Sequence, residues 1–155
     1  MAYCFDTSGF CDAYLRRYPP ETFPGVWEQL SELARGSRIV SPKEVYYEIA
    51  KQSDWLKEWA KGHKNIFLDV DMPQQQELRK IMKQFPTLVD VRKGRSGADP
   101  WVVSLARVLG YALVTDERER RDINGRPKIP DVCKALGIKY CNITEMFTEL
   151  KIKFE

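Results

Sequence analysis

At 155 residues the chain is long enough for one domain, residues 1–155, with a sizeable core. Its 43% hydrophobic and 30% charged residues exclude a disordered chain, and no apolar run approaches the ~18 residues of a membrane span. The net charge of +3, from 25 basic and 22 acidic residues, does not by itself announce nucleic-acid binding.

The start, Met1-Ala2-Tyr3-Cys4-Phe5-Asp6, lacks the basic residues and long apolar stretch of a signal peptide, so a cytoplasmic location is expected. Cys4, Cys11, Cys133 and Cys141 form no Cys-x-x-Cys pair, and His63 is the only histidine. That argues against a zinc site and for reduced cysteines packed as small hydrophobes.

Five short runs read as buried strands: Tyr3–Asp6, Arg38–Val40, Ile66–Val70, Ala112–Thr115 and Ile138–Asn142. They are β-branched or aromatic and mostly do not alternate, which is the pattern of strands covered on both faces. Helical patterns cover Phe23–Arg35, Pro42–Ala60, Pro73–Phe85, Pro100–Leu109 and Pro130–Leu136. Pro42, Pro73, Pro100 and Pro130 suit first helical positions, and Gly36, Gly110 and Gly137 suit helix ends in the left-handed conformation. Strands alternating with helices predict an α/β fold: three layers, α/β/α, around a five-stranded parallel sheet of Rossmann-like topology. Ligands of such sheets bind beyond the carboxyl ends of the strands.

Asp6 closes the first strand, as a site residue or as the cap of a following helix. Ser41-Pro42-Lys43-Glu44 has the form of a capping box, which gives Glu44 a structural role. One turn on, Glu48 shares the inward stripe of Val45, Ile49, Leu56 and Trp59. A carboxylate there needs a metal, a partner or a wet edge. Asp99 precedes Pro100 and opens a helix that is apolar nearly all round, so it reads as a cap, a ligand or both. Asp116 and Glu117 follow the fourth strand. Carboxylates at one sheet edge suit hard cations such as Mg²⁺ or Mn²⁺.

Four motifs now stand in order: Tyr3-Cys4-Phe5-Asp6-Thr7-Ser8; Ile39-Val40-Ser41-Pro42 leading to Val45-Tyr46-Tyr47-Glu48-Ile49; Ala98-Asp99-Pro100-Trp101 with the helix it opens; and Leu113-Val114-Thr115-Asp116-Glu117. This set resembles the PIN domain, in particular the toxin ribonucleases of the VapC type. Lys128-Ile129-Pro130-Asp131-Val132-Cys133 resembles a small-protein branch of that family whose members mostly lack characterised function. The resemblance implies a metal-dependent endoribonuclease that cleaves single-stranded RNA, with Mg²⁺ or Mn²⁺ held by Asp6, Glu48, Asp99 and a fourth acid. It also implies an antitoxin partner and a homodimer. The family spacing from Thr115 favours Glu117 as the fourth acid, with Asp116 intervening.

Lys93, Arg95 and Arg118 flank the last two motifs and are candidates to contact RNA phosphates, ordinary surface charge being the alternative. Trp55 and Trp59 suit core or dimer packing better than base stacking. Two rival readings stand beside the ribonuclease. One is a catalytically silent PIN-like module that binds RNA or protein. The other is a haloacid-dehalogenase-like phosphatase, whose Asp-x-Asp pair is broken here by Ser8.

Overall fold

The computed structural model describes residues 1–89 and 97–155. Five parallel strands form one sheet in the order β3-β2-β1-β4-β5: β1 (Tyr3–Phe5), β2 (Ile39–Pro42), β3 (Phe67–Leu68), β4 (Ala112–Val114) and β5 (Tyr140–Cys141). Helices flank it in a three-layer α/β/α arrangement: α1 (Thr7–Asp12), α2 (Pro24–Arg35), α3 (Lys43–Gln52), α4 (Asp54–Lys61), α5 (Met72–Gln84), α6 (Asp99–Leu109), α7 (Ile129–Leu136) and α8 (Ile143–Glu149). Among the described residues no helix is long and apolar enough to cross a membrane.

The architecture follows from the strands' composition. Tyr3, Cys4 and Phe5 are all buried, as are Ala112, Leu113 and Val114, because helices cover both faces of the sheet. β1 sits in the middle, with Tyr3 registered against both Ile39 and Ala112 and Phe5 against Val114. The strand order reverses between β1 and β4, and such a reversal leaves a crevice at the carboxyl ends. All four cysteines are free thiols; Cys4, Cys133 and Cys141 are buried and Cys11 half-buried.

Several local expectations are corrected. Four of the strands are shorter than the apolar runs that contain them, whereas β2 runs past Val40 to Pro42. Asn142 leaves the sheet to cap α8: its side chain accepts from Glu145 N at 2.8 Å, and Glu145 accepts from Asn142 N at 3.0 Å. That reciprocal cap builds a helix the apolar pattern did not show. The expected helix 42–60 is two helices. Ser53 is extended (φ −160°, ψ 133°) and its hydroxyl accepts from Leu56 N, so it ends α3 and caps α4.

The capping box at Ser41 does not form either. Ser41 is a strand residue whose hydroxyl donates to Phe5 O at 2.8 Å, and α3 begins only at Lys43, with no side-chain cap. Gly110 and Gly137 take the left-handed conformation (φ 71° and 70°), whereas Gly36 does not; Ser37 turns the chain instead at φ 54°. Trp59 lies against Phe10, Trp27 and His63, and Trp55 stacks on Tyr14 while remaining 38% exposed. The tryptophans therefore belong to one aromatic cluster.

Candidate active site

Asp6 occupies the first position after β1, at the point where the sheet's strand order reverses. Its backbone N–H donates to Val114 O at 3.0 Å, which ties it to the end of β4. The side chain is 2% exposed and caps α1 by accepting from Gly9 N at 2.7 Å. It also accepts from the hydroxyls of Ser8 (2.9 Å) and Thr115 (2.6 Å). The capping and site readings of Asp6 are thus compatible, since a carboxylate has room for several donors.

Burial dominates the acidity of Asp6 and pushes its pKa up to about 7. The donors from Thr115, Gly9 and Ser8 pull it down, while the charge of Glu117 pushes it further up. Glu117 therefore lies within electrostatic reach of Asp6 across the β1–β4 crevice. Its own carboxylate accepts from Ile129 N, at the start of α7, at 3.0 Å.

Asp116 faces elsewhere. Its Oδ1 takes two N–H groups of Arg17, at 2.8 and 2.7 Å, and its charge helps to raise the pKa of Asp12, for which burial is the main cause. The two adjacent acids point to different surroundings, the chain bending at Asp116.

Glu48 is half-buried on α3. It accepts from the hydroxyl of Thr7 and from Ala98 N at 3.2 Å, so it joins the chain just after β1 to the start of α6. Asp99 is the first residue of α6 rather than its cap, and is 7% exposed. The charges of Asp12, Asp6 and Glu48 all push up the Cys11 thiol, behind the main effect of burial. These acids therefore lie along α1, with Asp6 and Glu48 at its start and Asp12 at its end. Lys93 and Arg95 lie outside the described residues. Arg118 is exposed beside Glu117.

Among the described residues no three His, Cys, Asp or Glu side chains stand close enough together to hold one metal ion directly. The unanticipated members of the site are Ser8, Thr115, Asp12 and Arg17. Ser8 and Thr115 stood inside quoted motifs, but Thr115 meets Ser8 and Asp6 only across 107 and 109 residues of chain. No local pattern signals Arg17, whose partner lies 99 residues away.

A family model described as a domain of unknown function, DUF4411, matches residues 3–154. The chain belongs to the DUF4411 family. No curated protein matches it. The match runs from β1 past α8, so all the candidate site acids of this DUF4411 domain lie within the matched region.

Gly9 is where this site tolerates least. A Cβ there would stand 3.1 Å from Val114 O and 3.2 Å from the Phe5 ring, neither of which can move without disturbing the sheet. Gly9→Ala is expected to destabilise the domain by about 1–3 kcal/mol, read by thermal denaturation, because a packed core resists an added methyl group.

Proposed function

We propose that this DUF4411 domain is a Mg²⁺- or Mn²⁺-dependent endoribonuclease that cleaves single-stranded RNA. The observation that carries the reading is the Thr115 hydroxyl, which donates to Asp6 at 2.6 Å and accepts from Glu117 N at 3.1 Å, so that both acids are tied together across the carboxyl ends of β1 and β4. Ser8, Thr7 and Thr115 complete a set of oxygen groups around them. The resemblance of the four motifs to the PIN domain supports the same reading. Under it, the DUF4411 domain is the toxin of a toxin–antitoxin pair, with an antitoxin partner and a homodimeric state.

The residues fit such an ion. Their donors are hard oxygens, and a cation would favour the ionised form of Asp6, whose pKa is raised mainly by burial and further by the Glu117 charge. Three converging side chains are not required, because Mg²⁺ keeps several waters and takes one or two carboxylates together with substrate phosphates. Asp6 and Glu117 would hold the ion, with Glu48 and Asp99 beside them at the start of α6. A bound ion lowers the pKa of a coordinated water and offsets charge on the departing oxygen.

The chain's own groups do the orienting. Gly9 N and Thr115 Oγ1 fix the two oxygens of Asp6, Ile129 N fixes Glu117, and Thr7 with Ala98 N fixes Glu48. Supporting donors of this kind typically change metal affinity or activity by about 10–100-fold.

The fourth acid provides the test. Glu117→Gln is expected to abolish Mn²⁺-dependent cleavage of single-stranded RNA, measured on a panel of labelled RNAs, and to weaken Mn²⁺ binding by calorimetry. Asp116→Asn is expected to retain most activity, because Asp116 is engaged with Arg17. The reverse ranking would make Asp116 the ligand. If the wild type binds RNA but cleaves none of the panel with either ion, the domain is a silent RNA-binding module instead.

A further inference from the structure

The segment 116–128 leaves the acid cluster and reaches α7 without forming a helix or strand. It is nevertheless tightly held. Asp131, on the first turn of α7, accepts from Arg120 N at 3.2 Å and from Lys128 N at 2.8 Å, so one carboxylate ties both ends of the loop. Arg120 Nη1 donates to Gly125 O at 2.9 Å across the loop. Arg126 Nη1 donates to Leu88 O at 2.7 Å and fastens the loop to the segment after α5.

This loop borders a groove of about 740 Å³. The acids Asp116, Glu117, Glu119 and Asp122 line it together with more numerous cations: Arg118, Arg120, Arg121, Arg126 and Lys128 of the loop, and Arg16. Among the described residues none of those five loop cations pairs with a carboxylate, whereas two of the groove's acids are already paired: Asp116 with Arg17 and Glu119 with Lys134. Arg118, Arg121 and Lys128 are exposed. Uncompensated cations on a pinned loop, continuous with a carboxylate cluster, are suited to a polyanion that passes the cluster.

We infer that this groove binds the phosphate backbone of single-stranded RNA on one side of the cleavage site, with Arg118, Arg121 and Lys128 as phosphate contacts. Asp131 is the positioning residue that holds the loop in shape. The inference rests on the ribonuclease reading for its choice of polyanion but not for the existence of the groove. Flexible lysines scattered over a surface bind polyanions weakly. Here the loop's order is set before binding, which lowers the entropic cost of association.

The test separates binding from cleavage. Binding of a fluorescein-labelled single-stranded RNA is measured by anisotropy in EDTA across a salt series, and cleavage is measured separately with Mn²⁺. The triple substitution Arg118→Gln, Arg121→Gln, Lys128→Gln is expected to weaken binding at least ~10-fold at low salt. It should also reduce the slope of log affinity against log salt by about 2, since each phosphate contact contributes roughly 0.7 for single strands. Lys139→Gln, at the opposite end of the sheet, should change neither.

Asp131→Asn supplies a second readout whose sign is diagnostic. A carboxylate that acted only as surface charge would strengthen RNA binding when neutralised, whereas a positioning residue weakens it. An unchanged salt slope in the triple variant, or tighter binding by Asp131→Asn, would overturn the inference, even if the wild type cleaves RNA. Loss of binding in the triple variant, with no cleavage by the wild type, would uphold the groove and reject the nuclease. Binding of polyglutamate in preference to RNA would assign the groove to an acidic protein partner and also overturn it.

Discussion

Asp6→Asn is expected to abolish Mn²⁺-dependent RNA cleavage and at the same time to raise the thermal stability of the metal-free protein at pH 8. Both effects have one cause. The Asp6 carboxyl is buried, and its pKa rises from an ordinary 3.8 to about 7. A folded-state value above the unfolded one means that the group favours the fold fully at pH below 3.8. That contribution is lost as the pH rises through 7. At pH 8 the ionised Asp6 is therefore a liability in the absence of metal. Asparagine has nearly the same shape and no charge. Its oxygen still accepts from Gly9 N, and its amide donates to Thr115 Oγ1, which then turns its own proton to Ser8.

The net gain should be on the order of 2 kcal/mol, or roughly 4–8 °C for a domain of this size, in EDTA at pH 8. It should shrink toward zero near pH 4. Mn²⁺ should raise the melting temperature of the wild type, because an ion that binds only the folded state stabilises it, and should leave Asp6→Asn unmoved. Scanning calorimetry with and without Mn²⁺, over pH 4 to 8, reads all three effects. A variant that melts lower than the wild type at pH 8 in EDTA would show that Asp6 is held as a structural cap alone.

The second large effect separates two glutamates one helical turn apart. Glu48→Gln is expected to lower Mn²⁺ affinity by about 10–100-fold with a corresponding fall in cleavage. Glu44→Gln should change activity by less than about twofold, a surface substitution being close to neutral. Glutamine at 48 can keep both bonds if its oxygen accepts from Ala98 N and its amide donates to Thr7, so the fold should survive and only the charge is removed.

Glu44 has no such neighbours. It is half-buried on the first turn of α3 and its acidity is weakened mainly by burial, with the Asp69 charge adding to this. It does not serve the capping box its spacing suggested, since Ser41 is committed to Phe5 O. Calorimetric Mn²⁺ titration of both variants decides the matter. Equal losses would place Glu44 in the site and refute the assignment of Glu48.

Much of this molecule is legible in one dimension. The buried, non-alternating runs around Tyr3–Phe5 and Ala112–Val114 specify strands covered on both sides, and the alternation with helices then leaves a parallel sheet as the only economical arrangement. Gly110 and Gly137 mark real helix ends because no other residue takes the left-handed conformation as cheaply. That Asp6, Asp116 and Glu117 end at one edge also follows from sequence, since each directly trails a strand and parallel strands share a carboxyl end.

Tertiary structure alone decided which of those acids meet. Asp116 and Glu117 are neighbours in the chain, yet the first is taken by Arg17 from the π-helical segment Ala13–Arg17 after α1 and the second by the amide of Ile129. Those partners lie 99 and 12 residues away, and no periodicity encodes them. Ser41 had two uses open to its hydroxyl, a helix cap or a bond to the next strand. Packing β2 against β1 chose the latter, because a buried Phe5 carbonyl without a donor costs more than an uncapped helix start at the rim. Local spacing shows where a carboxylate can stand. Which donors surround it, and so how acidic it is, depends on distant segments folding against it.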